Sequence, residues 1–142
     1  MTIDIEIRKA LKKDVKKVVN LAKESRMITP RFKAGECLIA IRGENLIGMA
    51  RLKTFKAQKA HELSSVTVKD GWRNCGIGGM LVSKAVKIAK YDVYLNTVNP
   101  SFYVKMGFKI SKTKPKMFAK NGMWCKGCSD KKACTPMIWH KD

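Results

Sequence analysis

Val66-Thr67-Val68-Lys69-Asp70-Gly71-Trp72-Arg73-Asn74-Cys75-Gly76-Ile77-Gly78-Gly79-Met80-Leu81 is the stretch whose reading decides the fold. Its first residues end a segment over 62–68 that predicts a strand, and its last open an apolar-periodic helix over about 78–90. Glycines at 76, 78 and 79 let the main chain between them turn closely enough for consecutive N–H groups to face one anion. The helix that starts there adds the positive end of its dipole, which suits a diphosphate. Arg73, three residues ahead of Gly76, can add a charge-assisted contact from the edge of the loop. The same glycines also serve a tight turn or close helix–sheet packing, so the loop alone does not decide between these uses. Two familiar phosphate binders fail on spacing. There is no Gly-Lys-Ser/Thr after four intervening residues, and no Gly-x-Gly-x-x-Gly near the first strand with an acidic residue ~20 positions on.

Working outward, residues 3–7 alternate apolar and acidic, which predicts a half-buried first strand. From 10 to 26, Leu11, Val15, Val18, Val19 and Ala22 recur at helical spacing, while Lys12, Lys13, Lys16, Lys17 and Lys23 take the opposite face. Strands over 36–41 and 46–52 flank Arg42-Gly43-Glu44-Asn45 as a hairpin. In the helix after the glycine loop, Leu81, Val82, Ala85, Val86, Ile88 and Ala89 form the broad apolar stripe of an element packed on a sheet. A strand over 92–98, a helical turn over 101–106 ended by Gly107 and a strand from 108 to 111 follow. The segment from Asn121 on is Cys-rich and loop-like, with 136–139 a closing strand. The expected class is mixed α/β.

A chain of 142 residues with 45% apolar and 29% charged residues fits one compact domain. No apolar run reaches the ~18 residues that cross a bilayer, and the first eight residues lack the apolar block of a secretory signal. The expectation is a soluble, cytoplasmic protein with no membrane partner. Thirty Lys+Arg against 11 Asp+Glu give a net charge of +19. That excess draws polyanions such as RNA or DNA. A diffuse solvated lysine surface accounts for the same count, because Arg, the better base and phosphate reader, is scarce.

The glycine loop, with Arg73-Asn74-Cys75-Gly76-Ile77-Gly78 between a strand and a helix, resembles the acetyl-CoA-binding motif of the GNAT family of N-acetyltransferases. Downstream, Asn99-Pro100-Ser101-Phe102-Tyr103-Val104-Lys105-Met106-Gly107-Phe108 is similar to that family's Asn…Phe-Tyr-x-x-x-Gly-Phe signature. Two motifs in the right order and separation are far more specific than either alone. The resemblance covers about residues 3–111 and implies a mixed, mostly antiparallel central sheet flanked by helices; residues 1–120 are expected to be the acetyltransferase domain, and 121–142, outside the resemblance, a Cys-rich tail packed on it. It implies that the amides of Gly76 and Gly78 with the Arg73 side chain contact the CoA pyrophosphate, with Cys75 and Gly79 in the same loop. It further implies that Val66 and Val68 pair through their backbones with the pantetheine arm, that Asn99 hydrogen-bonds the cofactor, and that Tyr103 protonates the departing thiolate. An amine then attacks the thioester directly, with the oxyanion near the Val68 amide and a phenol supplying the proton. A core aromatic is the alternative use of Tyr103.

The base that takes the amine's proton is expected at Glu62, where the family frequently places a carboxylate, with His61 beside it. Adjacent strand residues point to opposite faces, so at most one faces the cleft. A surface salt bridge for Glu62 and an exposed His61 are the competing readings. The stretch from 26 to 36 is too short for a long second helix and the element from 99 to 107 is trimmed, which predicts an open acceptor site suited to a macromolecule.

Cys125, Cys128, Cys134 and His140 form a candidate Cys3His set for a structural zinc ion, Gly127 easing the turn between the first two. An iron–sulfur cluster would use the same residues, and free thiols would leave them unligated. In that free-thiol reading Cys37 and Cys75 are buried small apolar residues. Lysines around this tail and on the first helix, with Trp124 and Trp139, make a track for a phosphate backbone or, alternatively, a solvated rim with packed tryptophans. The reading that results is an acetyl-CoA-dependent N-acetyltransferase acting on tRNA, aminoacyl-tRNA, a modified base or another acceptor. A noncatalytic nucleic-acid-binding module on the same fold is its rival.

Overall fold

The computed structural model describes residues 4–25, 33–111 and 135–142. Among them are seven strands in one sheet, in the order β1-β2-β3-β4-β5-β7-β6, and three α-helices. The strands are β1 (Glu6–Lys9), β2 (Cys37–Arg42), β3 (Asn45–Phe55), β4 (Ala60–Val68), β5 (Asp92–Thr97), β6 (Lys109–Ile110) and β7 (Thr135–Trp139). The helices are α1 (Val15–Glu24), α2 (Ile77–Ile88) and α3 (Pro100–Lys105). The chain divides into two compact units, Met1–Lys53 with Leu63–Ile88, and Thr54–Glu62 with Ala89–Asp142, and both β3 and β4 run through the two. No described helix is long and apolar enough to cross a membrane.

In the first unit, β1, β2 and β3 pair antiparallel, and a two-residue turn brings Arg42 opposite Asn45 with Gly43 at φ +61. Positive φ is the conformation a tight hairpin turn demands, and glycine adopts it at least cost. Strand alternation divides the residues between two helices. Cys37, Ile39 and Met49 cluster with Val18, Leu21 and Ala22 of α1. On the other face Ala40 lies opposite Gly48, and Gly48 meets Ile77 and Leu81 of α2. Both faces are therefore covered, which explains why 37–40 is a continuous apolar run without alternation. Burying Val18 and Leu21 fully contributes about 1.5–3 kcal/mol each.

The first helix starts later than its periodicity suggests. A 3-10 turn, Lys12–Asp14, precedes α1, and the Asp14 carboxylate accepts hydrogen bonds from the Leu11 amide (2.7 Å) and the Arg8 guanidinium (3.0 Å). This binding holds the Asp14 carboxyl below its ordinary range, the Arg8 bond being the main cause. Leu11, counted in the apolar stripe, is 53% exposed as a result. The first strand is likewise shifted to Glu6–Lys9, its register set where the Ala10 amide donates to the Cys37 carbonyl. Residue 3, expected to start that strand, lies outside the described residues.

In the second unit the start of β4 pairs parallel with β5 over Ala60↔Asp92, His61↔Val93 and Glu62↔Tyr94. Strand β5 pairs antiparallel with β7, and β7 with the two-residue β6. The expected closing strand is thus an interior one, lying between β5 and β6. Most of the Cys-rich tail, including Cys125, Cys128 and Cys134, lies outside the described residues.

Candidate active site

The loop between β4 and α2 takes the form an anion cradle requires. Gly71 (φ +89), Asn74 (φ +65) and Gly76 (φ +81) all adopt left-handed backbone, turning the chain sharply into the helix. The Gly76 carbonyl accepts the first helical bond, from the Met80 amide (3.1 Å). The amides of Ile77, Gly78 and Gly79, in the first turn, therefore precede any intrahelical acceptor and share the positive pole of α2. The Ile77 side chain is 1% exposed and anchors that turn, whereas Gly76 is exposed and Gly78 and Gly79 are half-buried. These groups fit a diphosphate.

Arg73 stands at the loop edge. Its Nε donates to the Val68 carbonyl (3.3 Å) and its guanidinium lies 3.4 Å from Asp70, both side chains being largely exposed. An exposed pair of this kind contributes little, so the pair holds Arg73 only weakly. Trp72 is held under the Arg42 guanidinium, 5.1 Å from the ring centroid, tying the loop to the end of β2. Cys75, buried in the free-thiol reading, is exposed, its thiol 3.6 Å from the Arg73 carbonyl. A glycine-bounded loop lying over solvent has no core in which to place it.

Along β4, Ser65 breaks the alternation with φ +56. The faces of Glu62 and of Val66 and Val68 therefore do not follow from simple parity. The ladder to β5 ends at Glu62↔Tyr94. Glu62 is 7% exposed and His61 4%, so neither the surface salt bridge nor the exposed imidazole describes them. The His61 ring is held at both nitrogens. Nε2 accepts from the Lys90 amide (3.0 Å), and because an amide can only donate, the neutral ring's proton sits on Nδ1, facing the Thr54 hydroxyl at 3.1 Å. That lone pair is already engaged, which makes His61 a poor base and a good brace between β4 and the turn into β5.

The Asn…Phe-Tyr-x-x-x-Gly-Phe segment is a helix end. The Tyr103 carbonyl accepts from the Phe108 amide (3.0 Å) while the Gly107 amide donates to Val104 (3.1 Å), with Gly107 at φ +96. This is the Schellman closure, and its apolar contact is Tyr103 against Phe108, rings edge-on at 5.6 Å. Phe102 meets Tyr103 from another side at 4.9 Å. The spacing of tyrosine, glycine and phenylalanine is thus what fixes the ring. Burial pushes the Tyr103 phenol up to about 12, so it holds its proton as a general acid must. Asn99 precedes α3, its amide bonded to Thr97 and its side-chain oxygen accepting from Ser101 (3.2 Å).

Of the metal set only His140 is described. Its Nδ1 lies 3.5 Å from Asp92. Among the described residues no group of three or more His, Cys, Asp or Glu is placed to hold a metal. Trp139 packs beside Gly107, while Trp124 lies outside the described residues. Sequence reading missed Thr54, Arg42 and Gly48. Only Gly48 carried a signal, a lone glycine inside a strand pattern.

Comparison with known proteins bears on the fold and the family. An uncharacterized N-acetyltransferase of Chlorobaculum tepidum is 31% identical over 86 residues, which is 56% of this chain, and the chain spans about half (54%) of that relative's length. N-acetylglutamate synthase from Neisseria gonorrhoeae, solved with coenzyme A and N-acetyl-glutamate, superposes with a TM-score of 0.74 at 19% identity, covering 99% of this chain and 36% of its own. Rv2747 from Mycobacterium tuberculosis, solved with CoA, superposes with a TM-score of 0.77 at 15% identity, covering 96% of this chain and 99% of its own. These likenesses show a shared fold. The family model for the GNAT acetyltransferase domain matches residues 33–110, more than half of the sequence, and the chain therefore belongs to the GNAT acetyltransferase family.

Proposed function

We propose that the protein is an acetyl-CoA-dependent N-acetyltransferase whose acceptor is an amine on a polyanionic macromolecule, RNA or DNA. The observation that carries the first half is the start of α2, where three amides follow a left-handed Gly76 at the end of the loop from β4. In this reading the amides of Ile77, Gly78 and Gly79 hold the diphosphate, and Arg73 swings from Asp70 to add its charge. Cys75 contributes main chain only. Backbone groups of Val66 and Val68 pair with the pantetheine arm, and Asn99 meets the cofactor at the start of α3. Bound acetyl-CoA supplies an activated acetyl thioester. Tyr103 delivers a proton to the sulfur, and Glu62 accepts one from the attacking amine.

The second half rests on charge. A net +19, with Lys12, Lys13, Lys16, Lys17 and Lys23 of the first helical region all exposed, gathers polyanions and repels a cationic amine such as a polyamine. The test is acetyl transfer from labelled acetyl-CoA to tRNA, aminoacyl-tRNA, DNA and a basic protein, with Tyr103→Phe alongside. Label in RNA or DNA that falls at least ~100-fold in the variant supports the proposal. RNA or DNA binding without transfer, unchanged by the substitution, supports the noncatalytic binding module instead.

A further inference from the structure

We infer that Gly48 is a positioning residue for coenzyme binding: by lacking a side chain it lets the first turn of α2 seat against β3, and so sets where the diphosphate-binding amides stand. The inference rests on the reading of the α2 start as the diphosphate site and names a residue outside that loop which controls it. A Cβ at position 48 would lie 3.1 Å from Ile77 Cγ2, 3.2 Å from Leu81 Cδ1 and 3.3 Å from the Thr67 carbonyl. All three distances are tighter than ordinary van der Waals contact. Ile77 and Leu81 are four residues apart, so they share one helix face and meet Gly48 together. Neither can turn aside easily, since both are essentially inaccessible to solvent. Gly48 itself is not in a left-handed conformation, so close approach and not backbone freedom explains the glycine.

The consequence follows from the geometry. Ile77 is the first residue of α2, and its amide is one of the three that face the anion. A methyl at position 48 pushes on that residue and on the turn behind it. The shift needed is a few tenths of an ångström, small against the fold but comparable to the tolerance of a charge-assisted hydrogen bond. Substitution therefore weakens coenzyme binding through the start of α2.

The experiment measures CoA affinity by titration calorimetry for the parent, Gly48→Ala, Ile77→Leu and the double variant, with urea midpoints for each and steady-state KM and kcat on whichever acceptor is found. Ile77→Leu removes the Cγ2 branch that the new methyl would strike, at unchanged volume. Gly48→Ala is expected to raise the CoA dissociation constant about tenfold in the parent background, and less than about threefold when Ile77→Leu is already present. KM for acetyl-CoA is expected to rise while kcat holds. A Gly48→Ala protein that binds CoA as the parent does, whatever its urea midpoint, overturns the inference. So does an equal loss in both backgrounds. If the single variant does not fold, the double variant decides alone, since affinity within about threefold of Ile77→Leu supports the inference and a tenfold loss refutes it. A parent that binds no CoA removes the diphosphate site itself, a result distinct from any of these.

Discussion

Gly76 separates two ways in which a glycine can matter. Its φ is +81, and a Cβ built there meets nothing within 4 Å, so a side chain is resisted by backbone conformation and not by protein crowding. Left-handed backbone costs an alanine about 1–2 kcal/mol, a β-branched residue more, and asparagine least among non-glycines. Asn74, two residues earlier, already holds φ +65 in the same loop. At position 76 the chain either absorbs the strain, lowering stability by that amount, or relaxes to negative φ and turns the following amides away from the anion. Losing one charge-assisted hydrogen bond of about 1.5–3 kcal/mol raises a dissociation constant roughly ten- to a hundredfold. Calorimetric titration with CoA should therefore rank Gly76→Asn close to the parent, Gly76→Ala weaker and Gly76→Val weakest, with urea midpoints falling by no more than the strain. Equal losses in the Asn and Val variants would refute the reasoning and assign the glycine to direct approach of the ligand.

Tyr103→Phe should lower kcat by about 10²–10⁴ with CoA affinity unchanged. Because the phenol sits at about 12, any alkaline fall in kcat below pH 10 belongs to another group and should persist in the variant. Burial pushes the Cys37 thiol up to about 11 from its ordinary 9.0, so the stability it supports is complete below pH 9 and declines as pH rises toward 11, where the unfolded chain holds fewer protons. Urea midpoints across that range should fall less steeply in Cys37→Ala. Asp14→Ala should cost about 1–2 kcal/mol through loss of the Leu11 and Arg8 bonds, and because the Asp14 carboxyl is held below its ordinary 3.8, the difference from the parent should shrink as pH drops beneath that value.

What the sequence makes legible is local. The strand–loop–helix of 66–81 carries its signals within a few residues, and so does the hairpin around Gly43. The Tyr103-to-Phe108 segment spells out a helix closure, because the bonds and the ring contact that fix Tyr103 all fall within six residues. Long-range pairing is not legible in this way. Residues 135–139 form an interior strand only because Thr97 finds Thr135 and Val93 finds Trp139, partners that no local period records. Ser65 shows a second limit, since a single left-handed residue resets which side of β4 each later residue faces and nothing in Ser-Ser-Val announces it. The bracing of His61 turns on a tertiary donor, the Lys90 amide, that a strand pattern does not reveal. Gly48 lies between these cases: a glycine in a run of apolar strand residues signals close approach, but only the packed helix says what approaches.

The central claim is that the start of α2 grips the diphosphate of an acetyl carrier. Titrating the protein with acetyl-CoA and, separately, with acetyl-pantetheine, which bears the same thioester and arm without the diphosphate, tests it most directly. The account predicts saturable heat with acetyl-CoA and at least about hundredfold weaker binding of acetyl-pantetheine. Equal affinity for the two, or no heat with acetyl-CoA at millimolar concentration, would contradict it.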